Sequence, residues 1–470
     1  MVDMNDQLIV IFGGTGDLAQ KKLLPTLRKL YSQGIDQPVL LIGRSNSDIH
    51  EYIQDMGIEE YEDSFLENLY YLSLDVKTGD PEELRDKVES VSNKHGINTS
   101  YTFYLALPYF LFTYTSSLIQ NAGLNTDDSK IAFEKPFGKN LETAQRINQE
   151  IDGFKEEQIF RVDHYLGKEF VENIVTLRFS NPLFQKIWNK ESVKNVQITM
   201  AEDMGVNGRT GYYEEAGAIK DVFQNHLLQV LSLTAMKQPG SLTSEDIRDR
   251  KLEVLEKIQD IEPEDIVLGQ YGSKETDNNS IKGYRQLEGV KQHSDTETFF
   301  ALKLHLNMDN WEDTPFYVRS GKMMDEKYAE VNVVLENNSD LFDSEESSEN
   351  VVNIRIQPDS GVSIRFNSKG SGGIEDLETE TMEACKACRQ LLPGAYEHIL
   401  EELLKGDRTM FVDWEVLEQS WRITDSVVET AQHQETEFPN YIPGSEGPEG
   451  AEDLIDDGNW IKLNRRSNLQ

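Results

Sequence analysis

A short apolar run that ends in a cluster of glycines leaves a chain few folding options. Leu8-Ile9-Val10-Ile11-Phe12 carries no charge and stops at Gly13-Gly14. Five such residues fit a strand buried on both faces, the situation of a strand inside a parallel sheet. Gly13-Gly14-Thr15-Gly16-Asp17-Leu18-Ala19 follows at once, and a helical stretch covers about 23–31. Gly14, Gly16 and Ala19 make a variant of the dinucleotide fingerprint. Glycine permits the tight turn and lets backbone approach a pyrophosphate, while the helix start offers N–H groups and a positive dipole end. Glycines also make ordinary turns, so the placement between strand and helix carries the argument. The candidate cofactor residues of this loop are Gly13, Gly14, Thr15, Gly16, Asp17 and Leu18.

More apolar runs follow at 39–42, 101–107 and 130–134, separated by helix-like segments. Strands alternating with helices predict an α/β Rossmann-type domain, a doubly wound parallel sheet, over 1–165. Beyond about 190 the pattern changes. Residues 193–200, 298–306, 331–335, 351–356 and 362–366 read as strands, several alternating apolar with polar residues as half-buried antiparallel strands do. Helical stretches at 217–233 and 395–404 flank them. A larger α+β domain with a mainly antiparallel sheet is expected over 166–470. The acidic or polar stretches 273–280, 336–350 and 444–458 read as solvated loops.

Charge limits the partners. Lys and Arg total 46 against 84 Asp and Glu, a formal net charge of −38. Such a surface repels nucleic acid and anionic membranes. An anionic small molecule would need the few cations gathered at its site. No stretch approaches the roughly 20 apolar residues of a membrane helix, and the acidic start Met1-Val2-Asp3 lacks the basic, apolar pattern of a secretion signal. The expected location is the cytoplasm. Cys385 and Cys388, the two cysteines, exclude a disulfide framework and read as helical thiols without a role.

The end of the second strand bears on the cofactor. NAD enzymes usually place a carboxylate there for the ribose 2′-hydroxyl; here Ile42-Gly43 is followed by Arg44 and Ser45. A guanidinium and a hydroxyl suit the 2′-phosphate of NADP, with use of NAD left open.

The densest chemistry lies in Arg161-Val162-Asp163-His164-Tyr165-Leu166-Gly167-Lys168-Glu169, with an acid, a histidine, a phenol and a cation between Asp163 and Lys168. A second histidine, His226, sits in Asp221-Val222-Phe223-Gln224-Asn225-His226, and its helical neighbours Val222, Phe223 and Val230 turn it toward the interior. It reads either as a core histidine or as a base, since free imidazole titrates near about 6.5 and a carboxylate can fix its tautomer.

Asp163-His164-Tyr165-Leu166-Gly167-Lys168-Glu169 resembles the signature of glucose-6-phosphate dehydrogenases, and Asp221-x-x-Gln224-Asn225-His226 is similar to a second motif of that family. The resemblance implies oxidation of D-glucose 6-phosphate at C1 to 6-phospho-D-glucono-1,5-lactone with NADP, the first step of the oxidative pentose phosphate route. It implies His226 as base and Asp163 as its carboxylate partner. It assigns His164, Tyr165 and Lys168 to the substrate phosphate, which accepts charge-assisted hydrogen bonds. Lys135, in Glu134-Lys135-Pro136-Phe137-Gly138, would contact both the substrate and the cofactor beside it. Glu202 and Asp221 match carboxylates that bind sugar hydroxyls, Lys322 and Lys327 the basic substrate positions, and Gln357 a sugar-contacting glutamine. One departure is Tyr109 after Pro108, where the family often has a second proline. The resemblance further implies a homodimer or dimer of dimers and no metal. The alternatives are an NADP-linked dehydrogenase of another hexose and a catalytically inactive regulatory relative.

Overall fold

The computed structural model describes residues 7–45, 63–151, 153–206, 208–276, 279–337, 342, 348–385 and 393–462. They fall into two compact units.

The first unit holds a six-stranded, all-parallel sheet: β1 (Leu8–Phe12), β2 (Val39–Gly43), β3 (Leu69–Ser73), β4 (Tyr101–Leu105), β5 (Lys130–Phe133) and β6 (Ile159–Arg161), in the order β3-β2-β1-β4-β5-β6. The strand order reverses between β1 and β4, so the crevice beyond their carboxyl ends is the ligand position of a doubly wound sheet. Strands β1, β2 and β4 are buried at every residue; β1 and β2 carry no polar side chain, and Thr102, the polar residue of β4, donates to Gln7 Oε1 at 2.7 Å.

The chain does not build this unit from one stretch. Residues up to Glu169 are joined by Pro239–Asp249 and Pro393–Trp421. The helix Ala395–Lys405, expected to back the second sheet, instead covers the first. Its Ile399, Leu400, Leu403 and Leu404 pack in one core with Ile9, Ile11, Tyr104 and Phe160. Phe411 sets its ring edge-on to Phe160 at 4.9 Å, and Val412 N donates to Arg161 O at 3.0 Å. A parallel sheet needs apolar cover on both faces, and this distant helix has the amphipathic stripe to supply it.

The second unit is built on an eight-stranded sheet. Its strands are β7 (Val193–Ala201), β8 (Ile266–Gly269), β11 (Phe299–Leu304), β12 (Phe316–Gly321), β13 (Tyr328–Leu335), β14 (Val351–Gln357), β15 (Gly361–Lys369) and β16 (Leu377–Cys385), in the order β16-β15-β14-β13-β7-β12-β11-β8. The β7–β12 pair is parallel and every other pair antiparallel, so the expected mixture of helices with a mainly antiparallel sheet is found.

The loop expectations fare unevenly. Part of 273–280 forms a hairpin of β9 (Lys274–Thr276) with β10 (Asn279–Ile281). Most of 336–350 lies outside the described residues. In 444–458, Glu446 pairs at 2.8 Å with Arg319, whose side chain is 1% exposed, so this stretch closes part of the core rather than only meeting solvent. Cys385 ends a strand, not a helix, and is disulfide-bonded, which corrects the reading of free helical thiols; Cys388 lies outside the described residues.

Candidate functional site

Three groups of candidate residues take shape, two in the first unit and one in the second.

The glycine loop leaves β1 and crosses the end of β2. Gly13 N and Gly14 N both donate to Ile42 O at 2.9 Å, which ties the loop to the second strand. Gly13 has φ +81°, and a Cβ there would stand 2.3 Å from Ala106 O, so only glycine lets the loop lie this close to the end of β4. Arg44 and Ser45 follow β2 directly. Tyr71 Oη donates to Ser45 O at 2.6 Å and pairs with Ser45 Oγ at 3.1 Å, fixing that backbone while Arg44 stays exposed. Thr15 of the loop reaches Gly43, where an added Cβ would meet its Oγ1 at 2.9 Å. Loop and arginine therefore share one corner of the sheet. A loop with no room for a Cβ at Gly13 or Gly14 lets backbone approach a dinucleotide's pyrophosphate.

The signature turn lies after β6. Asp163, 2% exposed, accepts from Tyr165 N at 2.9 Å through Oδ1, and Leu166 N donates to Asp163 O at 3.0 Å. The aspartate thus folds its own turn. Lys168 Nζ stands 3.6 Å from the centroid of the Tyr165 ring, a cation–π contact. His164 lies with its ring parallel to that of Tyr396, 6.3 Å between centroids and 6° apart in plane. Gly167 abuts the start of the 395–405 helix, where a side chain would meet Ala395 O at 2.6 Å. Arg161, which looks ordinary in the sequence, is 2% exposed. It grips Glu156 at 2.7 and 3.0 Å and Asn148 at 2.6 Å, anchoring the strand that delivers the turn.

Lys135 follows β5, with a cis bond to Pro136. Beside it Glu134 is buried and accepts from Tyr104 Oη at 2.6 Å, Lys135 N at 3.2 Å and Tyr396 Oη at 3.3 Å. Burial raises the Glu134 carboxyl above the usual carboxylate range, and burial likewise lifts both tyrosine hydroxyls. Sequence reasoning missed Glu134 and Tyr396 as members of this cluster. Tyr396 stands far from every motif in the chain, and no local signal marks it.

The third group gathers at the ends of central strands of the second sheet. Parallel β7 and β12 end together at the pair Ala201↔Gly321, so Glu202 and Lys322 emerge side by side. Lys322 Nζ binds Glu202 Oε2 at 2.6 Å and Asp221 Oδ2 at 3.6 Å. Lys327 immediately precedes Tyr328, which pairs with Ala201, and Gln357 pairs with Ala329 one strand further. Lys327 is exposed and Gln357 partly so. Asp221 and His226 lie on the helix Ile219–Leu227, 8% and 3% exposed. Asn225 braces both: its Nδ2 donates to Asp221 O at 3.0 Å, and its Oδ1 accepts from His226 N at 2.7 Å. Carboxylates and a lysine gathered at these strand ends suit a polyhydroxy, anionic substrate; a buried imidazole on the same unit suits proton abstraction.

Residues 10–173 match the family profile described as "Glucose-6-phosphate dehydrogenase, NAD binding domain", and residues 175–461 the one described as "Glucose-6-phosphate dehydrogenase, C-terminal domain". The chain is 36% identical over 470 residues to the glucose-6-phosphate 1-dehydrogenase of Bacillus subtilis, covering 95% of this chain and 96% of that protein. It is 34% identical over 486 residues to the Arabidopsis thaliana protein named "Glucose-6-phosphate 1-dehydrogenase 6, cytoplasmic", covering 97% and 92%. A solved structure of glucose-6-phosphate dehydrogenase in complex with its substrate glucose-6-phosphate superposes with a TM-score of 0.89 at 29% identity, covering 98% of this chain and 99% of that one.

Proposed function

Since this chain belongs to the glucose-6-phosphate dehydrogenase family, we propose that it oxidises the C1 hydroxyl of glucose 6-phosphate to the 1,5-lactone with NADP as hydride acceptor. The observation that carries the reading is the 36% identity to the Bacillus subtilis enzyme over 95% of this chain and 96% of that protein.

In this reading His226 takes the C1 hydroxyl proton, and Asp163 holds its imidazole in the tautomer that can accept it. His164, Tyr165 and Lys168 hold the 6-phosphate by charge-assisted hydrogen bonds. Lys135 contacts the sugar next to the cofactor. Glu202, Asp221, Lys322, Lys327 and Gln357 bind sugar hydroxyls and substrate charge. Gly13, Gly14, Thr15, Gly16, Asp17 and Leu18 receive the dinucleotide, with Arg44 and Ser45 at its 2′-phosphate. NADP supplies the hydride acceptor, so the base has only the proton to handle.

Among the described residues no helix is long and apolar enough to cross a membrane. A cytoplasmic enzyme is our reading, in line with the plant relative's name. We also propose a homodimer, or a dimer of dimers, through the second unit's sheet, where Met382 on β16 is 58% exposed; light scattering on the eluting protein tests it.

The decisive assay mixes purified protein, glucose 6-phosphate and NADP and follows reduced-nicotinamide absorbance. A rising trace supports the reading, and a flat trace from folded protein removes it. Equal rates with unphosphorylated glucose would transfer the activity to another hexose.

A further inference from the structure

A helix start needs acceptors for its first N–H groups, and the helix carrying Asp221 and His226 begins where the chain supplies none locally. The preceding helix, Thr210–Ala218, is broken at Gly217, which adopts φ 63° and ψ −177°. The segment just before β11 fills the gap. Glu297 Oε1 accepts from Ile219 N at 3.0 Å, and Glu297 O accepts from Ala218 N at 3.1 Å. The fit is tight: a Cβ on Gly217 would stand 2.2 Å from Glu297 Oε1. The next residue faces the other way. Thr298 O accepts from Lys322 N at 2.8 Å, and Thr298 Oγ1 pairs with Tyr441 Oη at 2.9 Å, whose own hydroxyl donates to Lys322 O at 2.7 Å.

Resting on the function proposed above, we propose that Glu297 is a positioning residue of this enzyme. It fastens the start of the 219–227 helix while the adjoining peptide fastens Lys322, so one short segment sets where Asp221, His226 and Lys322 stand. An anionic group at a helix N-terminus is held by both the N–H and the dipole, and its grip strengthens when it is ionised.

Glu297 lines a cavity of about 740 Å³ and is partly exposed there. Burial nonetheless raises its carboxyl to about 7, against the opposing pull of the Ile219 N–H and the Lys220 charge. The Tyr213 and Tyr284 hydroxyls also feel its charge. Glu214, Glu215, Lys291, His293, Asp295 and Glu435 line the same cavity. With these charged groups facing the same space, the variant-to-wild-type ratio, not the wild-type profile alone, reports on Glu297.

The test measures kcat and KM for glucose 6-phosphate from pH 6 to 8 in wild type, Glu297→Gln and Glu297→Ala, with thermal melting of each. Glutamine keeps an acceptor for Ile219 N but cannot ionise. We expect Glu297→Gln to match wild type near pH 6 and to fall behind by about fivefold at pH 8, the difference between a neutral and a charge-assisted hydrogen bond. Glu297→Ala should be slower at every pH, with the glutamine variant restoring most of the loss at pH 6. A ratio of wild type to Glu297→Gln that stays constant across the range overturns the assignment, and this arm stands even if the alanine variant fails to fold. Wild-type protein that reduces no NADP overturns the function itself, and this role with it.

Discussion

Arg44→Ala is the sharpest probe of cofactor choice. The guanidinium leaves β2 at the corner where Thr15 approaches Gly43, and the Tyr71–Ser45 bonds hold the backbone beneath it. If it binds the 2′-phosphate, its loss removes a charge-assisted interaction worth roughly 1.5–3 kcal/mol. Arg44 is exposed, so solvent screening selects the lower end, about 1.5 kcal/mol or on the order of tenfold in kcat/KM for NADP. NAD has no 2′-phosphate and should lose almost nothing. The assay is paired: kcat/KM for NADP and for NAD on one preparation, with glucose 6-phosphate saturating. The NADP loss should also shrink at high ionic strength, since an exposed ion pair is screened. Equal losses with both cofactors would mean that Arg44 supports the fold of the corner rather than the phosphate. No loss with either would place 2′-phosphate recognition elsewhere.

Other outcomes follow from the same geometry. His226→Asn should lower kcat by roughly two orders of magnitude with a small change in KM, as loss of a general base does; stopped-flow or steady-state rates check it, and normal turnover rejects the assigned base. Lys168→Ala should raise KM for glucose 6-phosphate while sparing kcat, and an unchanged KM contradicts its phosphate role. Stability should also depend on pH through Glu297. Its carboxyl titrates at about 7 when folded but near about 4.3 when unfolded, so between those values the folded state binds more protons. Stability then falls as pH rises through that window. Urea unfolding from pH 4.5 to 7.5 should show a shallower fall in Glu297→Gln, and identical slopes would refute the shift.

The legibility of this chain follows the range of the interactions. Strands β1 and β2 announce themselves because burial on both faces demands an unbroken apolar run, and β4 because Thr102 alone interrupts its run. Strand β3 was missed because Leu69-Tyr70-Tyr71-Leu72-Ser73 is only half buried, and β6 because it has three residues. The turn at Asp163 was readable because its contacts are local. Glu202 and Lys322 were each singled out by resemblance, but their pairing, set by two parallel strands ending together, joins residues far apart in sequence. Gly167 shows the same limit. It looks like turn grammar until Ala395 O is seen where a side chain would go. Glu297 had no signal at all, since a carboxylate before a strand is commonplace until the broken helix at Gly217 is placed against it.

The late cover of the first sheet has a consequence during synthesis. Ile9, Ile11 and Phe160 leave the ribosome long before Ile399, Leu403 and Phe411. At roughly 5–20 residues per second, the interval is on the order of tens of seconds. Through that time the nascent cofactor unit has strands to pair but one apolar face without its final partner, a condition that invites chaperone capture or aggregation. A chain stopped before residue 393 would carry its whole dinucleotide loop and still lack the helix that seals the sheet beneath it.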